Sequence, residues 1–265
     1  MSIDVVREWQ AQAHDAGLVI TNLFPDDRKI ADWIARDAVA VVNGFDDCRL
    51  LVVREAGFDR VFYASKSLEA AAAACRTYAD GQGSECVLDV VGPQTVQTDA
   101  LRRFGDNGFG VRKSLTRMQR RVSEQELKLA SDVRPACENE AARIFAALHQ
   151  YFDARSEQLP SIAEVGELCK SGASFVVEDR GEIVAFLLGE LQGKKGLVRY
   201  WFTMPAGRGN GVGSAVMHAF FNHCQYKGAT FQELWVLDDN ENAVRRYLHY
   251  GFKFDRLKDT VFEKK

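Results

Sequence analysis

The chain has no apolar run approaching the roughly 18 residues that a membrane-spanning helix requires, so no segment is expected to cross a bilayer. Its opening stretch, MSIDVVREWQAQAHDAG, lacks the basic start and continuous apolar core of a secretory leader, and a cytoplasmic location is expected. An excess of positive charge is missing too. Lys and Arg number 34 against 37 Asp and Glu, for a formal net charge of -3, and no local basic patch stands out. Without a cationic field to hold phosphate polymers, no nucleic acid partner is expected. The six cysteines (Cys48, Cys75, Cys86, Cys137, Cys169 and Cys224) contain no C-x-x-C pair. A chain of 265 residues needs no disulfide staples, so buried free thiols are expected. His218 and His223 lie five apart, about 140° around a helix, and cannot share an ion; no metal site is expected.

What is present divides into halves. The length suits two domains of roughly 130 residues, each able to bury its own core. In the second half, LKLASDV (127–133) reads as a strand and ENEAARIFAALHQYFDAR as an amphipathic helix with Ile144, Phe145, Leu148, Tyr151 and Phe152 on one face. A shorter helix is predicted from a capping Ser161, with Glu164 three residues on, to Gly172. ASFVVEDRGEIVAFLLGEL reads as a hairpin turning at Asp179, Arg180 and Gly181, and GLVRYWFTM as a strand closed by Pro205. A glycine loop, a helix to about Tyr226, the strand FQELWVLD, a helix from about Asn240 to Tyr250 and a strand pair from Phe252 complete the order β-α-α-β-β-β-α-β-α-β-β.

The first half carries a faint copy. ALRRFGDNGF (100–109) lies over AVRRYLHYGF (243–252) at a constant offset, agreeing at Ala, Arg, Arg, an aromatic, Gly and Phe. Upstream, CRLLVVREAGFDRVFYA reads as a hairpin, SLEAAAAACRTYADG as a helix and CVLDVVG as a strand, so the element order recurs and a duplicated fold is inferred. The predicted domains are 1–122 and 127–265, joined at the polar stretch RRVSEQE (120–126). The copies differ where chemistry is expected: the first has YASKSLEA and no glycine loop ahead of its helix, and Phe104 at the position of Tyr247.

PAGRGNGVGSAVMHAFF (205–221) places flexible backbone at a helix start, where unpaired N–H groups and the positive end of the dipole favour a phosphate. A dinucleotide fold is disfavoured, because counting G-x-G-x-x-G from Gly211 puts Val216 at the third glycine. The residues do resemble the GNAT superfamily of N-acetyltransferases. Arg208, Gly211 and Gly213 fall on its Q/R-x-x-G-x-G/A core, and Asn240, Ala243, Tyr247, Gly251 and Phe252 on its N-x-x-A-x-x-x-Y-x-x-x-G-F spacing. The resemblance covers 127–265 well and the first half in outline. It implies an α/β (α+β) class of two tandem GNAT-like domains, each a mixed, mostly antiparallel twisted sheet flanked by helices, the first a remnant.

By the same resemblance, two strands splay and the arm of acetyl-CoA lies between them. Backbone at Trp201, Phe202 and Thr203 would meet the arm or the acetyl carbonyl, and Arg208, Gly209, Asn210, Gly211, Val212, Gly213 and Ser214 the diphosphate. Asn240 would meet the arm, and Tyr247 would protonate the leaving thiolate, its phenol being neutral at pH 7. A base is harder to choose: Glu190, Glu233 and Asp238 sit on or beside the relevant strands, and Glu190 is the one carried forward. The expected activity is direct transfer of an acetyl group from acetyl-CoA to a primary amine, on a small molecule or a protein N-terminus, in a ternary complex. The alternatives are a non-catalytic acyl-CoA sensor or scaffold, another acyl-CoA, or a non-amine acceptor. Acceptor residues are expected on the two helices after the first strand of the second half, with the remnant first domain as a further place for them.

Overall fold

A computed structural model describes residues 1–25, 27–123 and 132–265. They form two compact units. The first comprises Met1–Leu115, Leu237–Asp239 and Arg256–Lys265, and the second Thr116–Val236 and Asn240–Asp255. No helix among the described residues is long and apolar enough to cross a membrane.

The first unit contains α1 (Ile3–Asp15), β1 (Ile20–Thr21), α2 (Asp27–Ala35), β2 (Val39–Val42), β3 (Cys48–Glu55), β4 (Phe58–Ser65), α3 (Leu68–Gly81), β5 (Glu85–Gly92), α4 (Gln94–Asp106) and the start of β6 (Gly110–Arg121). β2, β3 and β4 pair antiparallel, and β5 lies parallel to β4. Two faces of this sheet are covered. Leu50, Val52, Val61, Tyr63, Leu88 and Val90 pack under α3 and α4, while Leu51, Val53, Phe62 and Ala64 meet Val6 and Trp9 of α1 and Ile30 and Trp33 of α2. This is the alternation that a strand's two-residue period imposes, and burying each large apolar side chain is worth about 1.5–3 kcal/mol.

The second unit contains β7 (Val133–Pro135), α5 (Ala141–Tyr151), α6 (Ala154–Glu157), α7 (Ile162–Lys170), β8 (Phe175–Asp179), β9 (Glu182–Gln192), β10 (Lys195–Thr203), α8 (Val212–Tyr226), β11 (Phe231–Leu237), less its last residue, and α9 (Glu241–His249). β7 to β10 are successive antiparallel neighbours, and β11 runs parallel to β10. α8 lies close on β9 and β10 because Gly189 and Gly196 present no side chain there: a Cβ on either would come within 2.4 Å of Phe220 or Cys224. On the other face Ile144, Leu148 and Val165 cover Phe186, Leu188 and Tyr200.

Much of the local pattern holds. Ser161 and Glu164 form a reciprocal capping box at the start of α7, and the hairpin turns through Arg180 (φ 52°) and Gly181 (φ 82°). The duplicated segments end alike. Gly108 (φ 81°) and Gly251 (φ 83°) follow α4 and α9, and the Phe109 and Phe252 amides both return at 3.0 Å, to the Phe104 and Tyr247 carbonyls.

Other expectations change. The strand pair from Phe252 is one strand, β12 (Lys253–Lys264), whose Lys258–Lys264 stretch pairs antiparallel with β5 in the first unit, from Lys258↔Gly92 to Lys264↔Cys86. The long helix at 138–155 is α5 alone, stopping where Phe152 turns extended (φ -119°, ψ 152°), with Asp153 capping the short α6. Cys137 is exposed in the loop after β7, whereas the other five cysteines are buried thiols. The strand expected at 127–133 falls largely on residues 124–131, outside the described residues, as does part of the predicted join.

Candidate active site

β10 and β11 pair in parallel from Lys195↔Phe231 to Val198↔Leu234 and no further. β10 nevertheless stays bonded to β9 through Thr203↔Ala185, with a bulge between Val198 and Tyr200. From 199 to 203 its other edge therefore faces a gap, leaving backbone groups there that β11 does not take. Side chains alternate along this stretch. Trp201 packs against the α8 cluster, and Tyr200 and Phe202 against the α5–α7 cluster.

Beyond Thr203 a single helical turn, Pro205–Gly207, leads into the glycine loop. Gly209 (φ 85°) and Gly211 (φ 74°) adopt left-handed backbone that side chains resist, with open space where a Cβ would stand. Gly211 caps α8 without a side-chain bond, and its carbonyl accepts the Ala215 amide at 3.0 Å. The amides of Val212, Gly213 and Ser214 at the helix start donate to no backbone carbonyl among the described residues. Gly213 instead needs smallness, since a Cβ there would lie 2.4 Å from Thr203 Oγ1. The Trp201 indole donates to the Gly213 carbonyl at 2.9 Å, tying the loop end to β10. Arg208 and Asn210 are exposed on the same loop.

Tyr247 of α9 is 7 % exposed, its ring 5.5 Å from that of Trp201 and 5.8 Å from that of Phe252. Burial pushes the phenol well up from its ordinary value, and the Glu157 carboxylate pushes it further. Its hydroxyl has no hydrogen-bond partner among the described residues. Asn240 caps α9, its Oδ1 accepting the Ala243 amide at 3.1 Å.

The carboxylates sort themselves by partner. Glu233 is 6 % exposed and lies among Gln119 (2.9 Å), Lys195 (3.3 Å) and Arg117 (3.5 Å). Asp238 belongs to the first unit, 3.1 Å from Lys258. Glu190 pairs with Arg199 at 3.3 Å and stands opposite Leu197, where β9, β10 and β11 are still in register. Glu157 was not read from the sequence. It ends α6 on the Tyr200 face, held there because the Tyr200 hydroxyl donates to the Glu157 and Gln158 carbonyls at 2.9 and 3.2 Å. Beside it Tyr151, 40 % exposed, stacks on Phe202 at 4.6 Å. Only the Asp153 cap hinted in sequence that the helix would break and bring this residue back.

Residues 139–252, which span the gap, the loop and Tyr247, match the model of the acetyltransferase (GNAT) family. This stretch is a GNAT domain. Solved structures share the fold over most of the chain. A GCN5-related N-acetyltransferase from Sphaerobacter thermophilus superposes with TM-score 0.60 at 16 % identity, over 88 % of this chain and 85 % of that one. An acetyltransferase of the GNAT family from Colwellia psychrerythraea gives 0.58 at 14 %, over 100 % and 98 %. A tandem GNAT protein from the clavulanic acid biosynthesis pathway gives 0.60 at 12 %, over 91 % and 88 %. No curated protein matches the chain in sequence. The fold class is therefore mixed α/β, two GNAT-like units in tandem with mostly antiparallel sheets flanked by helices, and the family's chemistry is acyl transfer.

Proposed function

We propose that the second unit moves an acetyl group from acetyl-CoA directly to a primary amine in a ternary complex. The observation that carries this reading is the break in β10–β11 pairing after Val198, because it opens strand backbone beside both the α8 N-terminus and a buried phenol. The donor set suits the cofactor: three helix-start amides, two left-handed glycines without side chains and Arg208 form a cradle for a diphosphate, and the open edge from Trp201 to Thr203 offers partners to an amide-bearing arm. Acetyl-CoA supplies the activated thioester. An edge amide of β10 stabilises negative charge on the acetyl oxygen, Asn240 contacts the arm, and Tyr247 donates its proton to the departing sulfur.

The acceptor arrives from the face opposite α8. There the Glu157 charge acts on Tyr247, the Glu157 backbone being held at the Tyr200 hydroxyl, and we assign this carboxylate the task of holding the acceptor's ammonium group and taking its proton. Glu190 is the competing carboxylate, held by Arg199 where the strands are still paired. A thiol-release assay with acetyl-CoA and pooled amines tests the reading, run on the wild type, Tyr247→Phe, Glu157→Gln and Glu190→Gln. Activity lost in Glu157→Gln and kept in Glu190→Gln supports the assignment; no thiol release with any amine, together with no thermal shift on adding acetyl-CoA, overturns the function.

A further inference from the structure

The first unit contains the same kind of gap, and it is filled. β4 and β5 pair in parallel from Phe58↔Glu85 to Arg60↔Val87 and then part, as β10 and β11 do, while β4 stays bonded to β3 through Ser65. The chain between α1 and α2 enters the opening. β1 pairs with the freed edge of β4 at Thr21↔Ala64 and Ile20↔Ser65, and the Thr21 hydroxyl donates to the Tyr63 carbonyl at 2.7 Å. Asn22, 3 % exposed, spans both diverging strands: its Nδ2 donates to the Val61 carbonyl of β4 at 3.1 Å and to the Asp89 carbonyl of β5 at 3.0 Å, and its Oδ1 accepts the Tyr63 amide at 2.7 Å.

We propose that this segment is a resident peptide ligand: Ile20–Asn22 takes the room and the backbone partners that an acyl-CoA arm would use in the first unit, so that the protein binds one acyl-CoA per chain. The proposal rests on the reading that the gap of the second unit receives such an arm. A primary amide can replace a bound amide because it offers the same donors and acceptor. Here it satisfies strand groups that would otherwise be buried and unmade. Two neighbouring features agree. Only Lys66 and Ser67 separate β4 from α3, and the Ser67 hydroxyl accepts the Ala70 amide at 3.1 Å, so this helix start is self-capped where α8 is not. Phe104, in the place of Tyr247, is fully buried and stacked 4.9 Å from Phe262, without a hydroxyl to donate.

The test is amide hydrogen exchange on the full chain, with and without saturating acetyl-CoA, together with calorimetric stoichiometry. One equivalent per chain is expected, with slower exchange in β10 at 201–203 and no change at the Tyr63 amide. A second equivalent, or ligand-dependent exchange at Tyr63, overturns the proposal. Asn22→Ala is expected to speed exchange of the Tyr63 amide at least tenfold, and Thr21→Val, which keeps the shape and removes one bond, by less; unchanged exchange in both variants also overturns it. If acetyl-CoA binds nowhere, the functional reading of the second unit fails, and the Asn22 and Thr21 variants still decide whether this segment holds the two strands.

Discussion

The Trp201 indole N–H reaches the Gly213 carbonyl at 2.9 Å, so a strand residue holds the first turn of α8. The same ring lies 5.5 Å from Tyr247, and the Arg246 guanidinium sits 6.0 Å over it. One side chain thus joins the start of α8 to the phenol. Trp201→Phe keeps the aromatic contact and removes the bond, a loss of about 1 kcal/mol. The expected result is an acetyl-CoA Kd about fivefold weaker by calorimetry; unaltered affinity would show that the loop holds its shape without the indole.

Gly213→Ala forces a Cβ to within 2.4 Å of Thr203 Oγ1. Overpacking of this kind costs about 1–3 kcal/mol, and β10 moves where its edge is needed. Pairing the change with Thr203→Ala removes the offending atom. Chemical denaturation of the two single variants and the double variant is expected to give non-additive losses, the double variant recovering at least half of the Gly213→Ala cost. Strict additivity would place the strain elsewhere.

Tyr247→Phe removes the proposed acid and leaves the packing with Trp201 and Phe252 in place. A fall in kcat of about 100-fold is expected, with acetyl-CoA affinity within about twofold. Burial and the Glu157 charge raise the phenol above its ordinary value of about 10. A donor whose pKa is raised stays protonated as pH climbs, so the wild-type rate should rise with amine deprotonation and show no alkaline fall below about pH 10. A descending limb near pH 8 in wild type that persists in Tyr247→Phe would assign the acid to another group.

In the first unit Asp259 and Asp89 share one arginine, the Arg60 guanidinium standing 3.2 Å from Asp89. Burial, then the Asp89 charge, push Asp259 far above the usual carboxylate range, against the pull of Arg60. Its Oδ1 is buried without a hydrogen-bond partner among the described residues. A carboxyl raised in the folded state contributes stability that is complete below its unfolded pKa of about 4 and is lost as pH rises through the folded value. Asp259→Asn cannot ionise, and each tenfold change in such an equilibrium is worth about 1.4 kcal/mol. The variant should therefore unfold several degrees higher than wild type at pH 8, with the gap closing toward pH 5; a variant less stable than wild type at pH 8 would mean that the ionised carboxyl is the favoured form.

Features written in a few consecutive residues are legible in the amino-acid order alone. The Ser161–Glu164 box, the Arg180–Gly181 turn and the glycines after α4 and α9 depend on backbone preferences that act over one turn, and local sequence carries them. The glycine loop with Tyr247 downstream marks the GNAT domain for the same reason. The break at Phe152 is hidden because Ile144 to Phe152 keeps helical spacing past the point where the chain turns extended, and packing of Phe152 against Tyr200 and Phe202 overrides the spacing.

The sequence by itself determined the duplicated fold, the glycine loop ahead of α8 and the loss of a phenol in the first copy, since each is a matter of residue type at fixed spacing. Only the tertiary structure decided that the Glu157 charge acts on Tyr247, that β12 pairs with β5 in the first unit, and that Asn22 fills the gap between β4 and β5. Asn22 alone reaches partners 39 and 67 positions away. A backbone edge accepts any strand or amide that can reach it, so its partner is chosen by the packing of the whole unit and leaves no pattern in neighbouring residues.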